Sequence, residues 1–136
     1  MTAPAAELQK AVFGALGGSA ELLALLGGAK IHDQTPANVV FPYLTFGRTS
    51  VYDWSTDTES GAEQLFSIHV WSKSQGKREA LKIMEIVRGL LDNATLSLDT
   101  HHLVSMRLEF SETRFDDRLS VQHGLLRFRA VTEPKA

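Results

Sequence analysis

The sequence predicts an α+β domain: a small antiparallel or mixed sheet with one long helix and an N-terminal helical hairpin packed on it. Three observations carry this. Apolar residues recur at helical spacing between Lys77 and Asp92. Residues 62–72, 102–111 and 119–132 alternate apolar and polar, the period of half-buried strands. Before them, Gly17-Gly18 and Gly27-Gly28 bracket two short apolar stretches. The 136 residues suit one domain, expected over 1–136 with residues 133–136 as a frayed tail.

The elements follow in order. Residues 3–16 read as a helix with Thr2 as N-cap, Pro4 in the first turn and a stripe of Leu8, Val12 and Leu16. Ser19 caps a second helix, Ala20–Leu26, which Gly27-Gly28 ends. Ala29–His32 is a brief extended piece. Val39–Arg48 reads as a strand, and Pro42 places it at an edge or makes it begin near that proline. Thr49–Gly61 reads as a long polar loop carrying Tyr52 and Trp54. In the strand Ala62–Ser72, Phe66, Ile68 and Val70 form the better core face, with Leu65, Ser67, His69 and Trp71 opposite. The helix Lys77–Asp92 sets Ala80, Ile83, Met84, Val87, Leu90 and Leu91 on one face, with Asn93 as its C-cap. A short strand near Thr95–Leu98, a turn at Asp99-Thr100 and a strand His102–Ser111 come next. Glu112–Arg118 reads as a charged loop, and Leu119–Thr132 is the last strand. The predicted order is α-α-β-β-α-β-β-β. The predicted core joins Phe66, Ile68, Val70, Leu126 and Phe128 to Ile83, Met84, Val87 and Leu91.

Composition narrows the function. Hydrophobic residues make up 43% and charged residues 22%, so the body of the chain is not expected to be disordered. The formal charge of −2 lacks the basic excess that phosphate binding requires, so no specific nucleic-acid binding is expected. The absence of cysteine removes thiol nucleophiles, thiolate metal sites and disulfides, and fits a reducing compartment. Met1-Thr2-Ala3-Pro4 has no basic leader, and Leu22–Leu26 is too short to span a bilayer, so no membrane role is expected.

Catalytic motifs are missing. His101 and His102 are neighbours that a strand would point to opposite faces, and they read as exposed turn histidines. His32-Asp33 is a weak acid–base pair of loop neighbours. No Gly-x-Ser-x-Gly elbow occurs, and no Gly-Lys-Ser follows any glycine cluster. Asp116-Asp117 lies between Arg114 and Arg118, so charge compensation is favoured over cation binding. The expected catalytic residues, metal ligands and cofactors are therefore none.

The order of features resembles the tail terminator, or tail-completion, proteins of long-tailed phages and gene transfer particles. The resemblance runs from the helix pair through Ala29-Lys30-Ile31-His32-Asp33 and Phe41-Pro42-Tyr43-Leu44-Thr45-Phe46-Gly47 to a loop with Trp54. Leu65-Phe66-Ser67-Ile68-His69-Val70-Trp71-Ser72 and Gly124-Leu125-Leu126-Arg127-Phe128-Arg129-Ala130 complete it. His32 departs from it, standing where an aromatic residue is more usual. The resemblance implies a structural ring, usually of six copies, on the finished tail tube. Its partners would be further copies of itself, the tail tube protein and a head-side connector protein, with DNA passing through the ring. It would sit in the tail of a virion or phage-like particle assembled in the bacterial cytoplasm.

A ring subunit needs one surface that meets a different surface on its neighbour. Two segments suit that. One is Thr49–Gly61 with Tyr52 and Trp54; the other is Arg114–Arg118 with Phe115 and Asp117. Aromatic anchors among arginines match interface hot spots. The competing readings are another neck protein such as a head-closure subunit, a small α+β enzyme using His32, His69 or His123, and a peptide-binding module.

Overall fold

The computed structural model describes residues 3–135. Helix α1 spans Pro4–Gly17 and buries Leu8, Val12 and Leu16, the predicted stripe. Thr2, expected as its cap, lies outside the described residues; Ala3 holds the N-cap position, with no side-chain cap. Its carbonyl accepts from the amides of Ala6 and Glu7. Helix α2 spans Ala20–Leu26, and the Ser19 hydroxyl accepts from the Leu22 amide at 3.2 Å. Gly27 ends it at φ 79°, a left-handed geometry that costs other residues more.

The sheet has five strands in the order β1-β2-β3-β5-β4. They are β1 (Ile31–His32), β2 (Tyr43–Asp53), β3 (Ala62–Ser72), β4 (His101–Asp116) and β5 (Val121–Pro134). Among the described residues only the β1–β2 pairing is parallel. Helix α3, Arg78–Leu91, lies between β3 and β4 in sequence. The fold class is the α+β class predicted, and the core is the one expected. Phe66, Ile68, Val70, Leu126 and Phe128 meet Ile83, Met84, Val87 and Leu91 in one buried cluster, which Leu8, Val12, Leu16, Leu22 and Leu26 extend. Phe66 and Phe128 face each other across β3 and β5 and stack with ring centroids 5.3 Å apart.

Several boundaries differ from expectation. β2 begins at Tyr43, directly after Pro42, and runs through Thr49–Asp53, which had read as loop. That stretch pairs with Ala62–Phe66 of β3: Ser50 and Tyr52 lie on the uncovered face, while Thr49 and Asp53 share the face of Phe66 near the end of the sheet. β4 likewise runs past Ser111 to Asp116 because every residue from Glu112 to Asp116 has a partner on β5. The expected strand at Thr95–Leu98 shrinks to a single bridge between Ser97 and His102. Two bulges, between Leu103 and Ser105 and between Leu108 and Phe110, break the expected alternation of β4. Met106 is buried, while Val104 and Phe110 are exposed. Residues 133–135, expected to fray, are held: Glu133 and Pro134 pair with His102 and His101, and the Lys135 amide donates to the Thr100 carbonyl. The end of α3 covers part of the β4 edge. Asp92 Oδ1 accepts from the Leu108 amide at 2.9 Å, and the Asn93 amide donates to the Met106 carbonyl at 2.8 Å. The capping position is Asp92, with Asn93 next in left-handed geometry at φ 60°.

The first helix is pinned to the start of β4 by a buried polar cluster. His101 is only 4% exposed, which corrects its reading as an exposed turn histidine. Its Nδ1 lies 3.1 Å from Glu7 Oε2, and the same carboxylate accepts from the Thr100 amide at 2.7 Å and the Thr100 hydroxyl. Burial pushes the Glu7 carboxyl up, but the Thr100 hydroxyl and amide and the His101 ring outweigh it and hold it down at about 2. A depressed carboxyl stabilises the fold above its unfolded value of about 4.5, and that contribution disappears as pH falls towards 2. Glu7→Gln should therefore melt below wild type at pH 7, with the gap closing between about pH 5 and pH 2. Melting curves of both proteins across that range check this; a gap that does not change with pH would count against it.

Candidate functional site

The sheet has one face covered by helices and one uncovered. On β3, Phe66, Ile68 and Val70 face the core, while Leu65, Ser67, His69 and Trp71 lie on the uncovered side, as expected from their alternation. Register then brings particular residues together. Leu65 is opposite Ser50 and Arg129, Ser67 opposite Arg127, His69 opposite Thr45 and Leu125, and Trp71 opposite Tyr43 and His123.

The predicted contact residues fall at opposite ends of this sheet. At one end Tyr52 lies on β2 opposite Glu63, rather than in a loop, and is 58% exposed. Trp54 follows in the connection 54–61. That connection is closed by its own hydrogen bonds. The Trp54 amide donates to the Gly61 carbonyl at 3.1 Å, the Ser55 amide to Asp53 Oδ1 at 2.8 Å, and the Glu59 amide to the Thr56 hydroxyl at 3.1 Å. The Ser55 hydroxyl and amide hold the Asp53 carboxyl below the usual carboxylate range. The Trp54 ring lies across Gly61 so closely that a methyl group there would come within 2.0 Å of it. Trp54 is thus held on its own loop with 38% of its surface still exposed.

At the other end Arg114 and Phe115 lie on β4, not in a loop, opposite His123 and Gln122. Phe115 is half exposed. Asp117 and Arg118 sit exposed in the four-residue turn 117–120 between β4 and β5. Asp116 is not held by Arg114 and Arg118 side chains, as the sequence suggested. Its Oδ1 accepts from the Arg118 and Leu119 amides at 3.0 and 3.1 Å, which shapes the turn. The structure does not bring the two sets together. Ala62 at one end of β3 pairs with Asp53, and Ser72 at the other pairs with Gln122 beside the turn. Eleven residues of strand separate them by roughly 33 Å.

Sequence reading missed an aromatic band on the uncovered face. Tyr43, Trp71, His69 and His123 stack side by side, with Trp71 and His123 parallel at 4.1 Å between centroids. Phe41 meets Tyr43 edge-on at 5.0 Å and carries the Lys73 ammonium over its ring. Alternation in β3 already placed His69 with Trp71; the register of β2 and β5 added Tyr43 and His123. The five histidines are thus not all scattered, as the sequence suggested. Beside the band a shallow groove of about 300 Å³ is lined by Arg48, Ser50, Tyr52, Ser67 and Arg127, among others. Arg127 pairs with Glu109 at 3.4 Å and lies over the Phe110 ring, and Arg129 pairs with Glu63 at 2.8 Å.

Among the described residues no three His, Asp or Glu side chains converge. The buried Glu7–His101 pair is occupied in holding Thr100 and the start of β4. No helix among the described residues is long and apolar enough to cross a membrane.

The fold is a small α+β domain whose sheet is covered by helices on one face and carries exposed aromatics at both ends, Tyr52 and Trp54 at one and Phe115 at the other. The chain belongs to the tail completion protein gp17 family, whose model matches residues 10–133. Among solved structures it is similar to a chain in the virion of a native gene transfer agent particle. The two share 30% sequence identity and a TM-score of 0.88 over 98% of this chain and 99% of that one. No curated protein matches. The chain is a structural protein of a phage-type tail.

Proposed function

We propose that copies of this chain, six in number, close into a ring on the finished tail tube. There the ring stops further polymerisation of the tube protein and presents a surface to the head-side connector protein. DNA passes through the ring without being read in sequence, and no catalysis is involved. Assembly takes place in the bacterial cytoplasm. The observation that carries this reading is membership in a tail completion family over nearly the whole chain, residues 10–133. The geometry supports it. A closed ring requires two different surfaces on each subunit, and the Tyr52–Trp54 and Arg114–Arg118 segments lie at opposite ends of one rigid sheet.

Particles produced without this chain test the reading. Their tails should be overlong and unattached to heads, and supplying the wild-type chain should restore both length and joining. Electron microscopy of restored particles should show six copies at the head-proximal end of the tube. Tails of normal length in the absence of the chain would refute the terminating role.

A further inference from the structure

His69 and His123 meet on the uncovered face with Nδ1 and Nε2 2.7 Å apart. A contact this short between imidazole nitrogens needs an N–H on one ring and a bare lone pair on the other. With both rings protonated, two N–H groups would point at each other and two positive charges would be forced together. The rings are nearly parallel, 4.9 Å between centroids, and His123 lies flat against Trp71. Trp71 in turn stacks on Tyr43 and donates from Nε1 to the Thr45 hydroxyl at 3.0 Å. His69 has no room on the β2 side. A methyl group on Gly47, which sits in the irregular stretch between Phe46 and Thr49, would lie 2.2 Å from His69 Nε2. A disrupted pair therefore cannot open over Gly47.

We propose that His69 and His123 form a pH-sensitive latch: one hydrogen bond between their rings holds the Trp71 stack closed, and protonation of both rings releases it. The groups around the pair are His32 and Tyr43 from β1 and β2, and Lys73 just after β3. Arg127 on β5 and Glu112, Arg114 and Asp116 on β4 complete the surroundings. Burial lowers both histidines. The charges of His69 and then Arg114 lower His123 further, against Asp116 and Glu112, which raise it. A histidine depressed in the folded state adds stability in full above about pH 6.5, and that contribution fades as pH falls through its folded value. Release lies next to Arg114, the cross-strand partner of His123, so the surface at the β4–β5 end changes in mildly acid solution.

The test is an NMR titration of the full chain that follows both the His69 and His123 rings, with ring-to-ring contacts between Trp71 and His123 read at each pH. In wild type both rings should titrate below about 6.5, and the Trp71 contact should weaken once both carry a proton. In His69→Gln the His123 midpoint should move up; His69→Asn serves if that variant does not fold. A wild-type midpoint at or above about 6.5, a midpoint unmoved by the substitution, or a stack that survives protonation would each overturn the latch.

Discussion

Phe128→Ala is expected to destabilise the protein by about 3–5 kcal/mol, the range for deleting a large buried ring. Phe128 is fully buried at the middle of β5, between two neighbouring strands. It stacks on Phe66 from β3 and is the cross-strand partner of Leu108 on β4. The sheet cannot collapse into the space the ring leaves, because backbone pairing on both sides fixes the strand separation. The loss should lower the melting temperature by roughly 10–20 °C in a domain of this size. Thermal melts of the purified chain measure it. A variant that melts within a degree or two of wild type would mean that the sheet and helix α3 do not share this core.

Particles carrying Trp54→Ala and Arg118→Glu together should have overlong tails or tails that fail to join heads. The two residues stand at opposite ends of the sheet, so in a ring one would serve each side of the contact. Removing the indole deletes a pre-oriented aromatic anchor, and reversing the charge at Arg118 places repulsion where an attractive rim contact is proposed. Folding should survive, since Arg118 is exposed on a turn whose hydrogen bonds come from Asp116 and backbone amides. Circular dichroism of the isolated variant separates loss of fold from loss of contact. Normal tails joined normally, from a folded variant, would remove these two segments from the proposed interface.

The candidate contact residues were legible as residue types but not as a site. Arg114 and Phe115 read as loop because Glu112–Asp116 is dense in charge and polarity. In the structure the segment is edge strand with one face in water, where such residues cost little. Tyr52 was misplaced for the same reason. Trp54 read as a contact residue, and in the structure it lies across Gly61 on its own loop while staying partly exposed. His101 gave no sign of burial, because its partner Glu7 lies 94 residues away in sequence.

Local pattern in the chain was enough for the class of the fold, the three helices, the strand Ala62–Ser72 and the composition of the core. These rest on local periodicity and on caps such as Ser19 and Gly27, which act within a few residues. The extents of β2 and β4, the two bulges that return Val104 and Phe110 to solvent, the buried Glu7–His101 tie and the aromatic band came from the assembled fold. Each depends on register between strands far apart in the chain. Shifting a strand by one residue turns its side chains to the other face, so which side chains meet follows from the assembled sheet and not from any segment alone.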